Sequence, residues 1–254
     1  MYNSNENTNN LSLMNFKKAV LKKHSQLTRN VFQLDLEIEE TSTHLSGQFI
    51  TIRINNGGDK PIMRVYSIAN KPGDNLLQLC IKVIEGGTGS AWLNEVKEGD
   101  TIEYIGPAGG FTFKNQNTNL PQKKILLIGT GTGIAPLKSI LEDELTNKNS
   151  QQEFHLIFGL RHIKDVFYKE AFEQLAKDYP NFTYKITLSK PEDESWTAQG
   201  GSQGRVTDHI RTLEINPANT ETYACGLKPM IEETSALLEE KGLPKEAIHY
   251  EKFG

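Results

Sequence analysis

Hydrophobic and polar residues alternate with a period of two in the first half of the chain. Residues 31–38 follow this pattern over most of their length, and residues 48–54 repeat it. Such alternation is typical of half-buried strands, and further short strands are predicted at 76–84 and 101–105. One short helix is predicted near residues 90–96. Several short strands separated by Gly- and Asp-rich turns predict a small antiparallel barrel.

The pattern changes after residues 114–121, a polar segment that ends in proline and predicts an interdomain linker. Short apolar runs beyond it indicate buried parallel strands, predicted at 125–128, 154–158, 182–188, 222–225 and 248–253. Apolar residues at helical spacing lie between them and predict helices at 134–145, 165–177 and 229–241. This alternation predicts a parallel sheet covered by helices. The chain is therefore divided into a disordered tail at 1–15, a β-barrel domain at 16–114 and an α/β domain at 122–254.

Composition narrows the classes of function. The formal net charge of -4 offers no broad surface for nucleic acid. No apolar run approaches the roughly 20 residues of a membrane helix, and the Asn-rich start lacks a signal-peptide core, which favours the cytoplasm. Cys80 and Cys225 are the two cysteines, so the chain cannot supply a four-cysteine iron–sulfur cluster. No metal site is predicted.

A glycine-rich loop, GTGTGIAP at residues 129–136, joins the first buried strand of the second half to its first helix. Glycines let a ligand approach the backbone, and the free N–H groups of a helix start favour a phosphate. The alternative is a tight turn with no ligand. An ordinary dehydrogenase fingerprint would have a third glycine where Pro136 stands and an acid near Arg161, so that class is disfavoured.

The barrel half carries a second candidate cluster. Arg64-Val65-Tyr66-Ser67 lies on a predicted strand, where the arginine suits a pyrophosphate, the tyrosine offers a stacking face and the serine offers a small donor. By itself this tetrapeptide is better explained as an exposed arginine beside a half-buried tyrosine. A further glycine-rich turn at 86–90 opens the short helix, and the order of these elements is more specific than any one of them.

Taken in order, these elements resemble the ferredoxin–NADP reductase superfamily. Residues 64–67 resemble its R-x-Y-S flavin motif, and residues 87–90 resemble its pyrophosphate-binding helix start. Residues 131–136 resemble its nicotinamide-nucleotide loop, and Cys225-Gly226 resembles its late C-G pair. The resemblance implies an FAD-binding barrel followed by an NAD(P)-binding α/β domain, without an iron–sulfur domain.

The resemblance also assigns residues to each cofactor. It implies FAD contacts from Arg64, Val65, Tyr66, Ser67, Ile81, Lys82, Val83, Gly86, Gly87, Thr88, Gly89, Ser90 and Phe253. It implies, or leaves as candidates, NAD(P) contacts from Gly131, Thr132, Gly133, Ile134, Pro136, Arg161, Ser189, Lys190, Arg205, Cys225, Gly226 and Met230. The basic residues and Met230 have equally good interpretations as solvated surface and core packing, respectively.

Four residues are expected at the reacting atoms. Ser67 would hydrogen-bond near flavin N5, and Cys225 would lie beside the nicotinamide. Glu251 and Phe253 match the family's acid and terminal aromatic, whose ring would stack on the flavin and move aside for the nicotinamide. The alternatives are a packing thiol at Cys225 and an ordinary terminal strand whose Phe253 packs in the core.

The resemblance implies an FAD-dependent oxidoreductase that takes hydride from NADPH or NADH. Its electrons would pass to a ferredoxin, a flavodoxin or an oxygenase component, and the protein would be a monomer. Two alternatives stay open. One is a non-catalytic flavin- or nucleotide-binding subunit, and the other is a flavin reductase that releases its flavin as product. The sequence leaves the choice of nicotinamide and of acceptor undecided.

Overall fold

The structure is a computed structural model and describes residues 15–55, 57–58, 60–114 and 123–253. The predicted tail at 1–15 and linker at 114–121 therefore fall almost entirely outside the described residues, as does Gly254. Within the described ranges, no helix has the length and apolar character needed to cross a membrane.

The N-terminal domain is a six-stranded antiparallel sheet with the order β4-β3-β6-β1-β2-β5. Its strands are β1 (Lys17–Thr28), β2 (Val31–Glu37), β3 (Phe49–Ile54), β4 (Ile62–Ser67), β5 (Leu76–Lys82) and β6 (Thr101–Ala108). An antiparallel bridge between Ile68 and Leu79 links the end of β4 to β5, although these strands stand at opposite edges of the order. The predicted antiparallel domain is confirmed, and α1 (Thr88–Glu95) is its short helix.

The C-terminal domain is a six-stranded parallel sheet with the order β10-β9-β8-β7-β11-β12. Its strands are β7 (Lys124–Thr130), β8 (Glu153–Leu160), β9 (Phe182–Leu188), β10 (Ser202–Gln203), β11 (Thr220–Leu227) and β12 (Ile248–Phe253). Its helices are α2 (Ile134–Glu142), α3 (Lys169–Asp178), α4 (Ser195–Ala198), α5 (Val206–Thr212) and α6 (Lys228–Glu240).

Both faces of this sheet are covered, as continuously apolar strands require. One face packs against α2 and α3, with Leu127 and Leu137 in its core. The other packs against α5 and α6, with Ile128 and Ile231 in its core. The α/β architecture predicted from the alternating apolar runs is therefore confirmed.

The start of α3 differs from the prediction. The predicted helix begins at Asp165, whereas α3 begins at Lys169. A short 3-10 turn at Ile163–Asp165 comes first, and Tyr168 then takes a left-handed backbone with φ of 60°. A left-handed residue cannot belong to a right-handed helix, so the helix can begin only after it.

The two domains share a hydrophobic core. Ala69, Cys80 and Phe113 of the barrel are buried in one cluster with Ile134 and Leu137 of α2. The glycine turn before α2 also approaches strand β5. This shared core brings the end of the flavin-motif strand close to the start of the helix that follows the glycine loop.

Candidate functional site

The glycine loop packs directly on the backbone at the end of β11. Gly131–Gly133 forms a 3-10 turn that continues into α2, and no side chain caps the helix start. A Cβ added to Gly133 would overlap the Cys225 carbonyl and lie 2.9 Å from the Gly226 nitrogen. Glycine is therefore required here by close backbone approach. The uncapped N–H groups at this turn suit an anionic group of a ligand.

Three strand ends meet beside this turn. In the sheet register, Cys225 stands opposite Gly129 on one side and Glu251 on the other. The Cys225 Sγ lies 4.0 Å from Glu251 Oε2. Ser67, at the end of β4, lies near enough to the Glu251 carboxylate to lower its pKa, so the barrel and the sheet meet here. The structure thus brings together three of the four residues predicted at the reacting atoms.

Burial controls the protonation of this group. It raises the pKa of Glu251 above its ordinary value, and the nearby Ser67 side chain partly opposes that shift. Burial, followed by the nearby Glu251 charge, also raises the pKa of the Cys225 thiol. The thiol is therefore protonated at neutral pH and is a packing group rather than a nucleophile. Cys225 is fully buried, so it can shape a neighbouring ligand site without ionising.

Phe253, the fourth predicted residue, lies at the same edge of the sheet. It stands opposite Leu227 in the β11–β12 register, and it is partly buried against the shared core. Met230 packs its methyl group against Gly226, and its sulfur accepts a hydrogen bond from Thr234 Oγ1 at 3.4 Å. Both residues lie close to the Cys225–Gly226 segment, and their contacts with a flavin or a nucleotide stay predictions.

The barrel side is built around Arg64 and the start of α1. A Cβ added to Gly89 would lie 2.9 Å from Arg64 Cγ and 3.1 Å from Ile54 Cδ1, so the absence of a side chain makes room for the arginine stem. Arg64 is exposed, and no side chain caps α1 at Gly87. Tyr66 is partly buried, which raises the pKa of its hydroxyl. A cation and an uncapped helix start therefore adjoin one another, an arrangement that suits a pyrophosphate.

The other predicted FAD residues occupy mixed positions. Ser90 is buried, and its Oγ accepts a hydrogen bond from the Ile84 amide at 3.0 Å. Ile81 is 1% exposed and packs in the barrel core, so only its backbone can face a ligand. Exposed or partly exposed positions are available to a ligand at Val65, Lys82, Val83, Gly86, Gly87 and Thr88.

Three cations gather at the carboxyl ends of β8 and β9. The Lys190 amide donates to the Arg161 carbonyl at 2.9 Å, which joins these two residues. Arg205 immediately precedes α5, next to Gly204, whose amide donates to the Leu188 carbonyl at 2.9 Å. All three side chains are exposed, and none forms a salt bridge to another described residue. Ser189 lies among them and donates to the Leu160 carbonyl at 3.4 Å.

Two further residues belong to this region. The Thr130 Oγ1 lies against Gly226. Glu192 accepts a hydrogen bond from the Ile163 amide, and its Oε1 lies 3.1 Å from His162 Nδ1. Thr130 lies within the glycine loop, so its place in the motif was the available signal. Nothing in the sequence pattern indicates these contacts of Glu192. Among the described residues, no group of His, Cys, Asp and Glu side chains is arranged to hold a metal ion.

Comparison with known protein families agrees with this geometry. Residues 18–113 match the oxidoreductase FAD-binding domain family, and residues 127–236 match the oxidoreductase NAD-binding domain family. The two matches follow one another along the chain; the first spans the strands of the antiparallel sheet, and the second spans the parallel sheet up to α6 and ends before β12. The chain belongs to the ferredoxin–NADP reductase superfamily. Its two domains are thus an FAD-binding domain and an NAD(P)-binding domain, as predicted.

Relatives in this superfamily include two kinds of electron-transfer protein. The chain is 27% identical over 239 residues to a toluate 1,2-dioxygenase electron transfer component of Pseudomonas putida, covering 93% of this chain and 67% of that protein. It is 31% identical over 209 residues to one subunit of a Na⁺-translocating NADH-quinone reductase from Psychrobacter arcticus. That match covers 77% of this chain and 50% of the Psychrobacter protein, so the chain spans about half of that relative.

The fold has close counterparts among solved structures. A ferredoxin NADP⁺ reductase from Neisseria gonorrhoeae, with bound FAD and NADP, matches with a TM-score of 0.81 at 20% identity. The match covers 94% of this chain and 99% of that one. At this identity the comparison establishes the two-domain fold and leaves individual residue roles to the chain's own geometry.

Proposed function

We propose that the chain is an FAD-dependent NAD(P)H oxidoreductase that passes electrons to a separate protein acceptor. The observation that carries the proposal is the meeting of Ser67, Cys225 and Glu251 beside the Gly133 turn. Ser67 of the FAD-binding domain therefore lies next to the carboxyl edge of the NAD(P)-binding sheet. Ligands of parallel sheets gather at that edge.

When bound, the two cofactors supply the hydride chemistry, in which nicotinamide C4 is oxidised and flavin N5 is reduced. The chain's residues supply binding and orientation. Arg64 and the start of α1 would hold the pyrophosphate of FAD, while Ser67 would place its hydroxyl near N5. The uncapped turn at Gly131–Gly133 would hold the pyrophosphate of the nicotinamide nucleotide. Phe253 would cover the flavin until the nicotinamide takes its place.

The Glu251 carboxyl offers a proton-holding group next to Ser67. Its raised pKa means that it retains a proton to higher pH than an exposed glutamate does. We propose that the Glu251 carboxyl, next to Ser67, holds a proton at the edge of the flavin while the flavin is reduced. Cys225 would limit how closely the nicotinamide ring can pack against the sheet.

NADPH is the nicotinamide that the surface charge favours. Arg161, Lys190 and Arg205 are exposed and form no salt bridges among the described residues. Together they could neutralise a 2′-phosphate, and the two arginines could do so with paired N–H donors. NADH would bind through the same glycine turn but would leave these cations without an anionic partner.

The acceptor is proposed to be a small redox protein or an oxygenase component. Support comes from the Pseudomonas putida relative, which is a dioxygenase electron transfer component. The two cysteines of this chain cannot ligate a four-cysteine cluster, so a ferredoxin partner would have to supply its own. We propose that the protein acts as a monomer with a ferredoxin, a flavodoxin or an oxygenase component.

The direct test is an absorbance spectrum of the purified protein, followed by anaerobic titration with NADPH and NADH. A bound flavin that bleaches on addition of nucleotide supports the proposal. Persistent oxidised absorbance at saturating nucleotide would indicate a non-catalytic binding subunit instead. Gel filtration before the titration separates the remaining alternative, since a flavin reductase that releases its product would lose the yellow colour on the column.

A further inference from the structure

Two buried hydrogen bonds connect helix α2 of the nucleotide domain to the chain just after the flavin-motif strand. Lys138 Nζ donates to the Ala69 carbonyl at 3.2 Å, and Ser139 Oγ donates to the Asn70 carbonyl at 2.7 Å. Ala69 and Asn70 follow Ser67 by two and three residues. On the other side, Lys138 lies about one helical turn, roughly 6 Å, beyond the start of α2. The two domains are therefore joined where their proposed ligand-binding segments adjoin.

The donors in this connection are unusually buried for polar residues. Lys138 is 6% exposed and Ser139 is 0% exposed. The Lys138 ammonium pairs with Glu142 at 2.8 Å and lies 5.3 Å from the centre of the Tyr168 ring. Burying a lysine costs desolvation energy that an apolar side chain would not incur, so a buried ion pair is weak evidence for stability. The directional bonds of Lys138 are better explained by a need to fix the position of α2 relative to residues 69–70.

The acceptor side of the connection is itself held in place. The Asn70 side chain donates to the Leu76 carbonyl at 2.9 Å and accepts from the Gln78 amide at 2.8 Å. The Asn70 carbonyl also lies 3.1 Å from His44 Nε2. These bonds fix the turn between β4 and β5. A displacement of α2 therefore cannot be absorbed by a flexible acceptor.

A second connection reaches the barrel from the start of α3. The Tyr168 hydroxyl donates to Gln33 Oε1 on β2 at 2.7 Å and also contacts the Cys80 thiol on β5. Tyr168 has a φ of 60°, a left-handed backbone conformation that is unfavourable for a residue other than glycine. Such strain persists only where the surroundings impose it. Lys138 lies against the same ring, so both connections belong to one buried group.

We propose that Lys138 and Ser139 are positioning residues that set the distance between the nucleotide-binding turn and the flavin-binding strand, with Tyr168 as a second anchor. This inference rests on the proposed function, because that distance matters only if a nicotinamide and a flavin react across it. Transfer requires reacting atoms about 3–3.5 Å apart, and a shift of about 1 Å can slow such a step by roughly a hundredfold.

The test compares Ser139→Ala and Lys138→Met with wild type, with Ser235→Ala as a matched control. Ser235 lies on α6 of the same domain, and its hydroxyl has no hydrogen-bond partner among the described residues. Anaerobic rapid mixing of the FAD-loaded protein with NADPH gives both the nucleotide Kd and the limiting rate of flavin reduction. Hydrogen exchange of the amides in α2 and in the β4–β5 turn reports their coupling independently of activity.

The expected result for Ser139→Ala is a limiting rate about tenfold lower, a Kd changed by less than about twofold, and faster exchange on both sides of the connection. Lys138→Met should show a larger fall in rate, and Ser235→Ala should behave as wild type. A lower thermal midpoint with an unchanged limiting rate would overturn the proposal and leave a stabilising role only. If Lys138→Met does not fold, Ser139→Ala still decides. If wild type itself is not reduced by NADPH or NADH, the proposed function fails instead.

Discussion

Replacing Gly89 with alanine would weaken FAD binding by displacing Arg64. The added Cβ would lie 2.9 Å from Arg64 Cγ and 3.1 Å from Ile54 Cδ1, both closer than the 3.4 Å at which ordinary contact begins. Ile54 is fully buried in the barrel core and cannot move without disturbing that core. Arg64 is exposed and must give way. Its guanidinium would then leave the position beside the start of α1.

The size of the effect follows from the bond that would be lost. A hydrogen bond to a charged group contributes about 1.5–3 kcal/mol, so a displaced arginine should raise the Kd for FAD by roughly 10- to 150-fold. Alanine is favoured over glycine in a helix by roughly 0.5–1 kcal/mol. That gain opposes the steric cost of the new methyl group, so stability of the FAD-free protein should change less than FAD affinity.

The assay titrates FAD-free protein with FAD and monitors binding by the quenching of flavin fluorescence. It is applied to Gly89→Ala, Arg64→Ala and the double variant. If Gly89 acts through Arg64, the double variant should bind FAD no more weakly than Arg64→Ala alone. Gly110→Ala is the matched control, because an added Cβ there meets nothing within 4 Å. Wild-type affinity in Gly89→Ala, or an effect that adds in full to that of Arg64→Ala, would show that Gly89 does not act through Arg64.

Three further predictions concern the nucleotide side. Gly133→Ala should lower the limiting rate of flavin reduction by roughly tenfold or more, because the added Cβ forces the glycine turn away from the Gly226 nitrogen. Stopped-flow absorbance measures this rate, and a wild-type value would contradict the prediction. Arg205→Ala should raise KM for NADPH by about tenfold and leave KM for NADH nearly unchanged, so equal losses for both nucleotides would remove Arg205 from the phosphate site. Burial raises the pKa of Glu251 above 4.5, so the folded state binds this proton more tightly and ionisation costs stability as pH rises above that value. In urea unfolding, the stability of Glu251→Gln relative to wild type should therefore rise as pH increases above the ordinary range of a glutamate pKa, and a pH-independent difference would contradict the assignment.

Much of the architecture could be predicted from local pattern because the two domains have different periods. Alternation identified β2 and β3, and continuous apolar runs identified β7, β8, β9 and β11. Strand β1 was not singled out, since eight of its twelve residues are lysines or other polar residues. Helices α4 and α5 were also missed, because four and seven residues are too few to establish a helical period.

The site could be predicted in its residues but only partly in its geometry. The resemblance brought Ser67, Cys225 and Glu251 to one place, and in the structure Glu251 lies 4.0 Å from the Cys225 Sγ and near the Ser67 hydroxyl. Their roles at the reacting atoms stay predictions. Periodicity shows which face of an element is buried but does not show what covers it. The pairing of Lys138 with the Ala69 carbonyl therefore had no signal in the sequence, and neither did the left-handed turn at Tyr168.

We propose that hydride passes from a nicotinamide to a flavin held between these two domains. The most direct measurement is anaerobic rapid mixing of the FAD-loaded protein with NADPH and with NADPH deuterated at C4. In wild type the flavin should bleach, and deuterium should lower the limiting rate of its reduction, as expected when C–H cleavage governs the barrier. A flavin that stays oxidised at saturating NADPH and NADH would contradict it.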